Sequence, residues 1–182
     1  MWNLGSRLII TTNYDRVLAW ACPEPDDLRP LDNDAVAELA QLLREPAPRP
    51  TVWHLHGRID NVDRMVLTSN SYDALYGSAV DESRYQAALA TLHTHFAGRT
   101  LLFIGFSLDD PFVTAQLHGV FQRFRGYSGT AYALIREAEA GLVEAHIREH
   151  ELPVRVVPYE DFGQPLLDLV RAMGGGIPKP AS

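Results

Sequence analysis

At 182 residues, 46% hydrophobic and 9% aromatic, the chain has the content of a folded domain with its own core. Its net charge of −7, with no stretch packing Lys and Arg together, argues against a nucleic-acid-binding surface. A single cysteine, Cys22, supports neither an internal disulfide nor a Cys-rich metal knot and fits a reducing, cytosolic setting; no run of about 18 apolar residues offers a membrane span, and "MWNLGSRLIITTNYD" is a poor signal peptide.

The first predicted element is a strand over Leu8–Thr12, short, apolar and β-branched, as in a buried parallel sheet. It stops on "TTNYD", where Thr12 or Asn13 can cap a helix carrying Val17, Leu18 and Ala21 that ends at Pro23 and Pro25. A helix is predicted over Asp34–Arg44, with Val36, Leu39, Ala40 and Leu43 on one face, and "EPAPRP" after it reads as a stiff linker. Thr51–His56 and "MVLT" read as strands, "SNSYDALYG" as a short capped helix, and Glu82–Phe96 as a longer one. Thr100–Ser107, "TLLFIGFS", is the most apolar segment and the expected central strand. Asp109, Asp110 and Pro111 then have the form of a cap and first-turn proline for a helix with Val113, Leu117, Val120, Phe121 and Phe124 on one stripe. "TAYALI" and "VRVVPY" are further strands around a helix over 137–150; "PLLDLVRAM" is a final helix and 176–182 a loose tail.

This alternation implies an α/β fold, a Rossmann-like parallel sheet with helices on both faces, in which ligands sit past the carboxyl ends of the strands. The polar residues at those ends are the candidates for chemistry. The Asn13 amide can donate and accept, which suits a ribose hydroxyl or a water, and Asp15 is an acceptor two residues on; helix capping explains the pair as well. In "VWHLHGRID", His54 and His56 share one strand face, His being suited to take a proton near neutral pH, and Gly57 allows a sharp turn; a hydrogen-bonded strand-end histidine is the competing reading. His93 and His95, two apart on a helix, do not face each other and are expected at the surface. In "FIGFSLDDP", Gly105 and Ser107 resemble a nucleotide-contacting turn, while a tight turn with an Asp cap accounts for the aspartates. The chain has no Gly-x-Gly-x-x-Gly run, no Gly-Lys-Ser/Thr loop and no Gly-x-Ser-x-Gly elbow.

Taken in order, "TTNYD", "HLHG" and "GFSLDD" resemble the Thr-x-Asn-x-Asp, His-Gly and Gly-x-Ser-Leu segments of the sirtuin superfamily, over residues 7–172. The match is closest to the sirtuin-like domains of bacterial anti-phage defence proteins, including those of Thoeris systems and those paired with short Argonautes. "VLTSNSYDALYG" and "VRVVPYED" agree with it as accessory segments. The resemblance implies an NAD-binding domain over 1–175 that cuts the nicotinamide–ribose bond, with Asn13, His56 and Asp15 catalytic. By the same resemblance Thr12, Gly57, Gly105, Phe106, Ser107 and Tyr159 would contact the dinucleotide. Deacylating members hold zinc on two Cys-x-x-Cys pairs; with Cys22 alone and a short 57–105 stretch, NAD hydrolysis without a metal is expected rather than lysine deacylation. The family's first strand and glycine-rich pyrophosphate loop have no counterpart before "TTNYD", so the domain is expected to be N-terminally truncated and weak in NAD affinity unless another chain, a second copy or a defence-system partner, completes it. A module that binds NAD or ADP-ribose without cutting it is the alternative, and a scaffold that has lost its cofactor is a third reading.

Overall fold

A computed structural model describes residues 1–44, 47–77, 82–106, 108, 110–125 and 127–174. The chain forms two compact units, Met1–Leu92 and His93 onward. Each has a three-stranded, wholly parallel sheet with helices in the connections, the Rossmann-like α/β arrangement the alternating pattern predicts.

In the first unit β1 (Leu8–Thr11) and β2 (Arg29–Leu31) flank β3 (Thr51–His54). All four β3 residues are buried, as expected of a middle strand with both faces covered. Trp53 is its anchor. The indole N–H donates to Asn33 Oδ1 at 2.9 Å, and Asn33 Nδ2 donates to the Leu55 carbonyl at 2.6 Å, so a buried amide joins the strand to the loop after β2 with its polar atoms satisfied. Pro30 hid β2 from the pattern reading; it sits on an outer strand, where a missing N–H costs no ladder bond. Helix α1 is a single turn, Val17–Trp20, and α2 (Val36–Arg44) buries Leu39 and Leu42.

The expected "MVLT" strand is absent. Met65 closes a 3₁₀ turn over Val62–Arg64, Val66 N–H donates to the His56 carbonyl at 2.8 Å, and Thr68 is already the N-cap of α3 (Ser69–Tyr76). Thr68 and Ser71 bond reciprocally there in a capping box. Helix α4 (Glu82–Gly98) corrects another expectation: His95 is buried on the stripe of Leu92 and Phe96, and His93 is half-buried against Gln116 at 2.7 Å. Neither is a free surface residue, because the helix turns both rings toward neighbours.

In the second unit β5 (Ala131–Arg136) lies between β4 (Leu101–Ile104) and β6 (Val154–Tyr159). The apolar β4 is half-buried and lies at a margin of its sheet; β5, with Ala131, Ala133, Leu134 and Ile135 buried, takes the middle. Helix α5 (Pro111–Arg123) starts as predicted, with the Asp110 carboxylate accepting from Phe112 and Val113 N–H at 3.0 and 3.1 Å and Pro111 in the first turn. Its stripe is Val113, Thr114, Leu117 and Val120; Phe124 is exposed. Helices α6 (Glu137–Glu149) and α7 (Gln164–Gly174) complete the unit; the tail at 176–182 lies outside the described residues.

Candidate functional site

In the first unit Thr11 pairs with His54 in register, so "TNYD" and "LHG" leave the sheet side by side. The N-cap position of α1 is Arg16, whose side chain makes no cap bond; one residue before it, Asp15 Oδ1 accepts the Val17 N–H at 2.9 Å. Thr12 is half-buried at the exit from β1, and neither it nor Asn13 caps. Asn13 is exposed, and its carboxamide makes no hydrogen bond among the described residues. Its backbone, in contrast, is pinned: the N–H donates to Thr11 Oγ1 at 3.1 Å and the carbonyl lies 2.9 Å from His54 Nδ1.

The two histidines differ sharply. His56 is 2% exposed. Its Nε2 is 3.1 Å from the Tyr76 hydroxyl and its Nδ1 3.3 Å from the Tyr72 hydroxyl, with both tyrosine rings edge-on at 5.9 and 5.0 Å. A neutral imidazole donates from one nitrogen and accepts at the other, so one tyrosine hydroxyl accepts and the other donates. Tyr14 closes a third side at 6.5 Å, its hydroxyl donating to the Val66 carbonyl at 2.7 Å. Gly57 follows at φ 84°, and a Cβ there would lie 2.5 Å from the Arg64 carbonyl oxygen. Only glycine fits that approach.

His54 is also buried, but it borders a cavity of about 310 Å³ with Asp15, Arg16, Trp20, Arg58 and Asp60. Burial holds the His54 imidazole below its ordinary pKa, with the Arg58 charge adding to the effect and the Asn13 carbonyl opposing it. Arg58 is clamped by Asp32 through two bonds of 3.0 and 3.2 Å, and Arg16 pairs with Asp60 at 2.9 Å. Arg58 follows β3 as one of the polar strand-end residues the pattern points to; sequence reasoning missed Tyr14, Tyr72, Tyr76 and the pinning role of His54. Tyr72 and Tyr76 carry a signal in hindsight, since spacing i, i+4 puts them on one helix face.

The second unit brings a different set to its strand ends. Gly105 takes φ 65° in open space. The Phe106 ring stacks on Phe103 at 5.5 Å. Ser107 lies outside the described residues. Tyr159 ends β6 opposite Arg136 of β5, is buried, and meets the Phe162 ring at 5.8 Å. Burial pushes its hydroxyl pKa up, with the Glu139 charge adding. Arg136, which bonds Glu139 and lies 5.3 Å over Phe162, went unnoticed in the sequence. Among the described residues no group of three or more His, Cys, Asp or Glu is arranged to hold a metal ion, and no helix is long and apolar enough to cross a membrane.

Parallel strands joined through helices, with polar side chains gathered past the strand ends, define a Rossmann-like α/β protein. Within that class the SIR2-like domain family matches residues 7–153, and the chain belongs to that family. It is similar to the NAD(+) hydrolase ThsA of Bacillus cereus (strain MSX-D12), 27% identical over 130 residues that cover 71% of this chain and 25% of that protein. It is likewise similar to the NAD(+) hydrolase ThsA of Enterococcus faecium, 28% identical over 127 residues, 70% of this chain and 25% of that protein. The matched region thus spans about a quarter of the length of these relatives.

Proposed function

We propose that the chain hydrolyses NAD to nicotinamide and ADP-ribose, as a sirtuin-like domain acting in anti-phage defence, with residues 1–175 working as one NAD-binding domain. Membership of the SIR2-like family across residues 7–153, alongside relatives named NAD(+) hydrolase, is the observation that supports this reading most. In the reaction the C–N bond between nicotinamide and ribose breaks with its electron pair leaving on neutral nicotinamide. Water adds its oxygen to the anomeric carbon and releases one proton. The intervening ribose cation is oxocarbenium-like, so the site must place a water and surround developing positive charge with polar groups.

In this reading the uncommitted Asn13 carboxamide holds the nicotinamide ribose and the attacking water. Asp15, anchored by the Val17 N–H at the start of α1, contributes negative charge beside it. His56 accepts the proton or orients a ribose hydroxyl, and with both ring nitrogens facing tyrosine hydroxyls it does so through Tyr72 or Tyr76, or after one of them yields. Thr12, Gly57, Gly105, Phe106, Ser107 and Tyr159 contact the dinucleotide. The test is nicotinamide release from NAD, followed chromatographically. Wild type is expected to turn over, and His56→Ala to lose about 10²-fold or more of the rate. No turnover by wild type, or no effect of His56→Ala, overturns the reading.

The near-complete burial of His56 favours a second reading, in which the domain binds NAD or ADP-ribose without cutting it. Calorimetric binding of either ligand in the absence of turnover selects this reading.

A further inference from the structure

Two consecutive carbonyls of the "TNYD" segment are held from one side. The Asn13 carbonyl faces His54 Nδ1 at 2.9 Å, and the Tyr14 carbonyl accepts the Ile59 N–H at 2.9 Å. Both partners belong to the 54–59 stretch, which also donates the Leu55 N–H to the Thr11 carbonyl at 2.9 Å. Of these bonds only the His54 one comes from a side chain, and it ends on the backbone of Asn13. A carbonyl oxygen can only accept, so the His54 proton must sit on Nδ1. That fixes the tautomer and leaves Nε2 as an acceptor.

His54 is 4% exposed, so its ring has little freedom to leave this geometry. Asn13 itself is exposed and its carboxamide is not held by any side chain among the described residues. Its direction is therefore set by its backbone, which two side chains hold: Thr11 Oγ1 at the N–H, from two residues away, and His54 at the carbonyl, from across the sheet.

We infer that His54 is a positioning residue: its Nδ1–H strap on the Asn13 carbonyl fixes the Asn13–Asp15 segment and so aims the Asn13 carboxamide and the Asp15 carboxylate. This rests on the NAD-hydrolysis reading for its consequence in turnover, but the strap itself does not. Displacing a positioned group by a fraction of an ångström is enough to cost a reaction tenfold or more.

The experiment uses the full chain and two variants. His54→Asn keeps an N–H at the Nδ1 position, whereas His54→Leu fills similar space without a donor. Nicotinamide release from NAD gives kcat and KM, and native-state hydrogen exchange by NMR reads the amides of Asn13, Val17 and Ile59. For His54→Leu, kcat is expected to fall about 10- to 100-fold with KM changed less than about threefold, and the three amides to exchange at least about tenfold faster while Ala133 in β5 does not change. His54→Asn is expected to restore kcat and exchange protection to within about threefold of wild type. Unchanged kcat and exchange in His54→Leu overturn the inference. So does an equal loss in both variants, which would mean packing alone. If wild type releases no nicotinamide, the hydrolysis reading has failed, and the exchange data by themselves decide whether the strap exists.

Discussion

The two sheets end in different materials. Past β1 and β3 the chain places an amide, imidazoles, a clamped arginine and tyrosine hydroxyls, with hydrogen bonds running from the β3 exit to the β1 exit, to helix α3 and to the loop after β2. Past β4, β5 and β6, among the described residues, it places ring contacts and an arginine: Phe106 stacked on Phe103, Tyr159 edge-on to Phe162, Arg136 over Phe162. A hydrogen-bonded network fixes directions, which is what moving a proton or a water demands. Ring contacts are tolerant in direction and suited to holding a flat or apolar ligand surface. The first strand end thus fixes side-chain directions, and the second presents ring surface.

The glycines give the sharpest contrast between the two ends. Gly57 and Gly105 share a left-handed backbone, but a Cβ on Gly57 would strike the Arg64 carbonyl, whereas one on Gly105 meets nothing within 4 Å. Gly57→Ala should therefore combine backbone strain with steric overlap and destabilise the first unit by about 2–5 kcal/mol. Gly105→Ala should show strain alone, about 1–2 kcal/mol. Urea unfolding followed by circular dichroism checks both. Equal effects would mean that the first strand end is no more tightly built than the second.

Asn33→Ala probes the network from behind. It removes the acceptor of the Trp53 indole and the donor to the Leu55 carbonyl, both buried. Leaving those groups unsatisfied should cost about 2–3 kcal/mol, read as a lower urea midpoint at unchanged slope. A loss below about 0.5 kcal/mol would show that the loop after β2 does not brace β3.

Much of this was legible in the sequence because it is local. The β-branched run Leu8–Thr11, the apolar β4 and the Asp110–Pro111 start of α5 carry their structure in residues a few positions apart. The strand-end candidates Asn13, Asp15, His56 and Gly57 followed from one rule about where parallel sheets present polar groups. What escaped depends on residues far apart in the chain. Which side chain meets the first N–H of α1 is settled by where the strand exit turns, and His54 has a partner 41 residues away. The burial of His95 follows from which face of α4 is covered, which periodicity states only weakly when a histidine interrupts the apolar stripe.

The smallest expected effect is the one from pH, and it sets one histidine of each unit side by side. Burial, with Arg58 adding, holds His54 below its ordinary value of 6.5, against the Asn13 carbonyl bond and the carboxylates Asp32 and Asp60. Burial, with Arg99 adding, does the same to His95, whose Nε2 has no hydrogen-bond partner among the described residues. In both cases the folded state binds its proton less readily than the unfolded chain. Stability is therefore fully present above about pH 6.5 and declines as pH falls below it, at up to about 1.4 kcal/mol per pH unit for each group, levelling off below the folded pKa. Unfolding free energies at pH 7.5 and 5.5 measure the total, and His54→Asn and His95→Gln should each remove their own part of the slope. A slope that only His95→Gln reduces would place the acid sensitivity in the second unit and leave the first strand end indifferent to the charge on His54.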